Sequence, residues 1–380
     1  MHIAASRCQG NYMNITERIA RYKAIEARRG RPLIVYATST RVNAAAWMAG
    51  DAVREFIDQI DAIDGDSAVD VLIHSTGGDA LTAWKLMSVL RERFTSVGVL
   101  VPFQAFSAAT IFALGADEIV MHPHASLGPI DPQITITLPD GTQRRFAFED
   151  VGAFLRFMHQ EIGLSEQAPV ASIVDRLFSA VDPVNVGAAK RASELSNDVG
   201  ARLLQMHMTT PEDQQKAVLI AERLNKSFFA HGDAVSRTRA RDLQLKIATN
   251  DCQLESLIWR AYEGIESYME LRKPFEPLEH FLKNGGATAL QPTAPIVLPP
   301  NAPPQLVQNV WNQVAQQAVE SLQNPAVEVP YARINALIES TRVASENRAV
   351  GTLTAARVAG GEIHLTGTDR ETGWYPVAIP

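Results

Sequence analysis

Cysteine is scarce in this sequence. Cys8 and Cys252 are the only two among 380 residues. They lie far apart and form no Cys-x-x-Cys pair. That excludes a thiolate metal site and a disulfide framework, and it fits a reducing, cytoplasmic setting in which both are ordinary thiols. A basic excess is also missing. Lys and Arg number 35 against 42 Asp and Glu, for a net charge of −7, which argues against nucleic acid as a partner. No Gly-x-Gly-x-x-Gly follows a strand, and no Gly-Lys-Ser/Thr closes a glycine loop. Neither a nicotinamide nor any other cofactor is expected, and no metal. No repeat of fixed period occurs. Residues 1–10 carry no apolar leader core. Membrane contact stays open, through a partner, but nothing indicates it.

Long charge-free runs are rare, and one stands out. Val97 to Ala116 is twenty residues without a charged side chain, the length of a membrane span. Pro102, Gln104 and Ser107 sit in its middle, with Gly98 and Gly115 near its ends. A buried strand followed by a buried helix accounts for it better.

The remaining composition, 46% apolar and 20% charged, suits a sizeable core in two or three domains. Residues 13–30 predict an amphipathic helix with Ile15, Ile19, Tyr22 and Ile25 on one face. Strand 31–37 precedes a helix predicted over 44–63, whose apolar face holds Trp47, Val53, Phe56, Ile57 and Ile60. Strand 69–74 leads through Ser75-Thr76-Gly77-Gly78-Asp79 into helix 81–93. Strand 97–101, helix 108–116 and strand 118–121 follow. Repeated strand-helix units imply a parallel sheet with right-handed crossovers. Ligands bind such sheets at the carboxyl ends of the strands. Gly77-Gly78 and Ser107 would both lie there.

Ser107 stands where a helix begins after a strand. Such a serine caps the helix, or it is a nucleophile on a sharp strand-to-helix turn. The residues alone do not separate the two. A hydroxyl beside free backbone N–H groups is what acyl transfer requires, because its tetrahedral intermediate carries an oxyanion.

Four stretches occur in order: Ile73-His-Ser-Thr-Gly-Gly-Asp-Ala80, Phe106-Ser-Ala-Ala-Thr110, Gly115-Ala-Asp-Glu-Ile-Val-Met121 and Ala125-Ser-Leu-Gly-Pro-Ile-Asp-Pro-Gln133. Together they resemble the Clp-fold serine peptidases, and within them the serine dehydrogenase proteinase group related to signal peptide peptidase A. The likeness covers roughly residues 31–248. It implies an α/β fold of the Clp/crotonase type with a small C-terminal α+β extension. It implies a serine peptidase acting on a peptide or protein substrate within a homo-oligomer. Ser107 would be the nucleophile, with N–H groups of Gly77 or Gly78 and of Ala108 as the oxyanion hole.

Relatives in the signal peptide peptidase group use a lysine base, and Lys190 fits best here. It follows the weakly charged stretch 181–189 and opens a helix to Met208. Lys216 and Lys226 sit among more polar neighbours. Where Clp proteases carry their histidine, this sequence reads Pro129-Ile-Asp131. His122, His124 and His231 read as turn or packing residues. Two other functions remain: a crotonase-like acyl-CoA enzyme, which needs the oxyanion donors but no serine, and an inactive scaffold of the same fold.

The expected organisation is a helical arm (1–30), a catalytic domain (31–250) with an insertion at 134–180, and a helical extension (251–283). A Pro/Gly-rich linker (284–304) and a C-terminal α+β module or arm (305–380) complete it. The insertion predicts a hairpin around Asp140-Gly141 and a helix over 150–162. Helices are predicted at 190–208, 211–229, 254–272, 307–322 and 331–342, and a hairpin through Ala359-Gly360-Gly361.

Overall fold

The computed structural model describes residues 14–137, 141–164, 167–226, 234–286, 299–323, 327–357 and 363–380. Cys8, Asp140, His231, most of the expected linker and the Ala359–Gly361 turn lie outside the described residues.

Helix α1 (Ile15–Arg29) begins in a capping box between Asn14 and Glu17 and ends at Gly30 in the left-handed conformation. Its two ends thus satisfy backbone groups that the helix leaves open. The strand-helix units follow as β1 (Leu33–Thr38), α2 (Ala52–Asp61), β2 (Ala68–His74), α3 (Ala80–Arg93) and β3 (Ser96–Val101). The short β4 (Gln104–Ala105) precedes α4 (Ala108–Leu114), β5 (Glu118–Met121) and the short β6 (Ser126–Leu127). The insertion is a hairpin of β7 (Gln133–Thr137) and β8 (Gln143–Ala147), then α5 (Phe148–Arg156), a π turn at Phe157–Glu161 and α6 (Gln167–Ala180). Long helices α7 (Pro183–Gln205) and α8 (Pro211–Lys226) come next, then β9 (Val235–Ser236), α9 (Arg237–Asp242), α10 (Cys252–Met269) and α11 (Pro277–Lys283). The last elements are α12 (Pro304–Gln323), β10 (Glu328–Ser340), β11 (Ala344–Arg357) and β12 (Ile363–Pro376).

The central sheet has seven strands in the order β12-β11-β10-β1-β2-β3-β5. Strands β1, β2, β3 and β5 run parallel, as the strand-helix repeat implies. Strand β10 lies antiparallel against β1, with Ile34 opposite Ser340 and Thr38 opposite Ala336. Strands β10, β11 and β12 are therefore part of the central sheet rather than a body apart. The helix expected over 331–342 is instead strand β10. Residues 44–49, expected as the first turns of a helix, are not helical, and α2 starts only at Ala52.

Both faces of the sheet are covered. Ile34, Tyr36, Val71, Ile73, Val99 and Val101 pack toward α2, α3 and α4. Leu33, Val35, Leu72, Leu100 and Val120 pack toward α1 and α10. Double coverage explains why these strands read as unbroken apolar runs. Among the described residues no helix is long and apolar enough to cross a membrane.

Helix α1 is fixed to this frame by charge. Arg18 and Glu339 are both buried and form an ion pair. The Tyr22 hydroxyl donates to Glu339 at 2.8 Å, and the Arg18 guanidinium lies 3.7 Å from the centre of the Tyr268 ring. A buried carboxylate with one partner removed costs far more than the pair contributes. Arg18→Met is expected to lower unfolding free energy by about 3–5 kcal/mol. Urea titration should find Arg18→Met/Glu339→Leu less destabilised than the single variant, and equal losses would refute the charge argument.

Candidate active site

The site forms where short backbone segments lie side by side beyond the ends of β2 and β3. Ser75 bridges Ala105 in parallel register. Its N–H donates to Gln104 O and its carbonyl accepts from Phe106, both at 3.0 Å. Met48 bridges Gly78 on the other side, donating to Gly77 O at 2.7 Å and accepting from Asp79 N–H at 2.9 Å. Strand β4 pairs with β6. Four stretches far apart in sequence thus form one small ladder, and the ladder sets the glycine turn beside Ser107.

The turn depends on its two glycines. Gly77 has φ 110° and Gly78 φ 146°, values that side-chain-bearing residues rarely adopt. A Cβ on Gly77 would stand 2.7 Å from Ser107 Cβ, and one on Gly78 would overlap the Met48 backbone. The Ser75 hydroxyl accepts from Gly77 N–H at 3.1 Å and also contacts Thr38 Oγ1 at 2.8 Å. The N–H of Gly77 is therefore taken up inside the loop. Among the described residues none accepts from the N–H of Gly78 or of Ala108. Gly78 is exposed and Ala108 is buried.

Ser107 has φ 51° and ψ −118°. Such a backbone costs on the order of 1–3 kcal/mol and is kept only where surroundings enforce it. Its hydroxyl makes no capping bond to α4, which removes the capping account left open by the sequence. Thr110 enforces the turn from behind. Its hydroxyl donates to Ala105 O at 2.7 Å, lies 3.0 Å from Gly128 O, and accepts from Gly128 N–H at 3.0 Å. That ties α4 to the segment after β6. The next residues are held by α7 and α8, through Ser196 Oγ to Ile130 O and Ile130 N–H to Leu224 O.

Lys190 lies on α7 with its side chain 52% exposed, paired to Glu194 at 2.8 Å and 5.0 Å from the Phe148 ring centre. The burial that a lysine base requires is missing there in the single chain. Lys216 and Lys226 are likewise half-exposed and paired, with Asp213 and Glu222. His122 stacks on Trp259 and accepts from His124 N–H. Burial and the neighbouring His124 hold it below the usual histidine range.

Sequence reading missed the support for the turn. Thr38, Met48, Ser75 and Thr110 all hold it, and only Ser75 carried a signal: a Ser-Thr pair just before glycine favours side-chain-to-backbone turns. His74 was also unremarked. It is fully buried, packs on Phe103 and Tyr262, and is held down to about 3 by desolvation.

The comparisons agree with this arrangement in part of the chain. A family model described as ClpP-like SDH-type serine proteinase matches residues 45–142, which include both the glycine turn and Ser107. The uncharacterized protein MJ1495 of Methanocaldococcus jannaschii is 25% identical over 209 residues, 53% of this chain and 58% of that one. A second uncharacterized protein of that organism, MJ0137, is 39% identical over 81 residues, 21% of this chain and 28% of its own length. The chain thus spans less than two thirds of either relative. Among solved structures, a mutant of the 1510-N membrane-bound stomatin-specific protease is similar at 13% identity. Its TM-score is 0.35, over 59% of this chain and 82% of that one. ClpP1 from Listeria monocytogenes is similar at 14% identity and a TM-score of 0.33, over 62% and 99%. The resemblance stated from the sequence is borne out by the family match, and over residues 45–142 the fold is of the Clp type.

Two stability effects follow. Ser107→Gly relieves the backbone, so it should be about 1 kcal/mol more stable than Ser107→Ala, which does not. Equal midpoints in urea would mean that the turn is unstrained. Neutral His74 stabilises fully above its ordinary value of about 6.5, and that stability is lost as pH falls toward 3. The loss approaches about 1.4 kcal/mol per pH unit. His74→Phe should flatten this part of the pH–stability curve, and an unchanged slope would place the acid sensitivity elsewhere.

Proposed function

We propose that the chain is a serine peptidase that cleaves peptide bonds through an acyl-enzyme on Ser107. One observation carries this reading: the serine is held at positive φ with its hydroxyl outside the helix cap, and the glycine turn lies against it, a Cβ on Gly77 standing 2.7 Å from Ser107 Cβ and 3.1 Å from Ala108 N. Ser107 Oγ would attack the carbonyl carbon and give up its proton to a base. The tetrahedral oxyanion would accept from Gly78 and Ala108. Collapse would expel the amine, protonated by the same base, and water would then release the acyl group by the reverse sequence. Gly77 serves by conformation rather than as a donor, since Ser75 holds its N–H.

Lys190 is the proposed base, and it can act only where assembly with further copies buries it away from Glu194. The same requirement is why the working form is proposed as a homo-oligomer.

A fluorophosphonate probe tests the nucleophile. Wild type should be labelled, and Ser107→Ala should lose labelling and turnover while keeping its thermal midpoint within a few degrees. Labelling that survives in Ser107→Ala would move the nucleophile to another residue. Lys190→Ala is expected to slow turnover at least about 10²-fold, the scale of a general base. Normal turnover in that variant would remove Lys190 from the mechanism.

A further inference from the structure

We infer that Trp47 is a specificity-determining residue of this site, selecting substrates with a large apolar side chain next to the reacting carbonyl. The inference rests on the acyl-enzyme reading above.

Trp47 is 63% exposed. A tryptophan that packs buries roughly 150–250 Å² and contributes strongly to a core, so one left in solvent leaves much of that contribution unused. Its position is set by the site itself. The next residue, Met48, is buried and bonded through both its backbone groups to the glycine turn. Side chains alternate along extended chain, so burying Met48 turns Trp47 outward from the same backbone. Ala46 is also fixed, its N–H donating to Ser39 O at 2.8 Å. The indole is thus carried by a tethered segment, one residue from the partner of Gly78.

Local propensity makes the placement more telling. Ala44-Ala45-Ala46 would favour a helix, and the helical pattern would have put Trp47 among the buried residues. The ladder with Gly77–Asp79 overrides that preference and leaves the ring outside. Leu81 adds a second exposed apolar side chain, 49% exposed on the first turn of α3 just past the glycines. Exposed Gly78 therefore has Trp47 next to its bridge partner Met48 and Leu81 three residues further along its own chain, both large, apolar and exposed. A substrate whose carbonyl reaches Gly78 and Ala108 brings its adjacent side chain past this surface, which is the occupant proposed here.

The test compares two probes, the 4-nitrophenyl esters of N-acetyl-phenylalanine and N-acetyl-glycine, on the full chain. Losing an apolar wall costs about 10- to 50-fold in kcat/KM, within the range for hydrophobic discrimination. Trp47→Ala should lose that much on the phenylalanine ester, through KM, and stay within about threefold on the glycine ester. Trp47→Phe should keep most of the preference. Trp311→Ala serves as the control. That tryptophan is 62% exposed on α12, which packs against β11, three strands from β2. An equal loss on both esters, or none, overturns the assignment while leaving Ser107 in place. Unchanged kinetics with a shift in sedimentation would give Trp47 to a subunit contact and also overturn it. Wild type that hydrolyses neither ester and takes no fluorophosphonate overturns the acyl-enzyme reading, and this assignment falls with it.

Discussion

The arrangement depends on the hydrogen bonds that Ser75 makes in two directions. Its backbone joins the glycine turn to the strap that carries Ser107, and its hydroxyl holds Gly77 from inside. The two glycines follow from the same constraint, because a neighbouring backbone on each side leaves no room for a Cβ. Preorganised donors help catalysis only if they need no rearrangement during the reaction. Here the fixing is done by main chain, which is stiffer than any side-chain contact on the surface.

Strain at Ser107 belongs to the same design. A serine in ordinary helical or extended backbone could bond to its own helix, and its hydroxyl would be occupied. Holding φ at 51° turns the hydroxyl away from that use. The cost is met by the core beneath. Every residue of α4 is buried, and Thr110 donates to Ala105 O while accepting from Gly128 N–H.

The parallel strands, the glycine turn and the Ser107 turn were legible because each is written locally, as an apolar run followed by a breaker. The miss at β10 has a specific cause. Ile334, Leu337 and Ile338 fall at helical spacing, and a bulge between Ile334 and Ala336 creates that spacing within a strand. With the extra residue, Ile334 and Leu337 face one side of the sheet while Ala336 and Ile338 face the other. The period of two is lost although the chain is extended. At 44–49 the alanines state a local preference that a contact thirty residues away overrides. Lys190 was selected for a weakly charged sequence neighbourhood, but burial is a property of packing, and Glu194 one turn on was enough to pair it.

The place of β10 bears on how the molecule is made. Strand β1 lies in the middle of the finished sheet, yet its β10 neighbour is encoded some three hundred positions later, and the Arg18–Glu339 pair spans 321. Closing so long a loop is slow. Until it closes, β1 presents a bare edge on which any extended chain can pair. Over the same interval Arg18 lacks its counter-charge, although α1 can already pack on α10 and pair Arg29 with Asp70. Neutralisation of Arg18 and completion of the sheet are thereby one event, and a ribosome-bound fragment ending before residue 328 would hold the serine turn on a sheet whose β1 edge is open. Such an intermediate is prone to aggregate, and yield on expression should depend more on temperature and chaperones than the finished fold's stability would suggest.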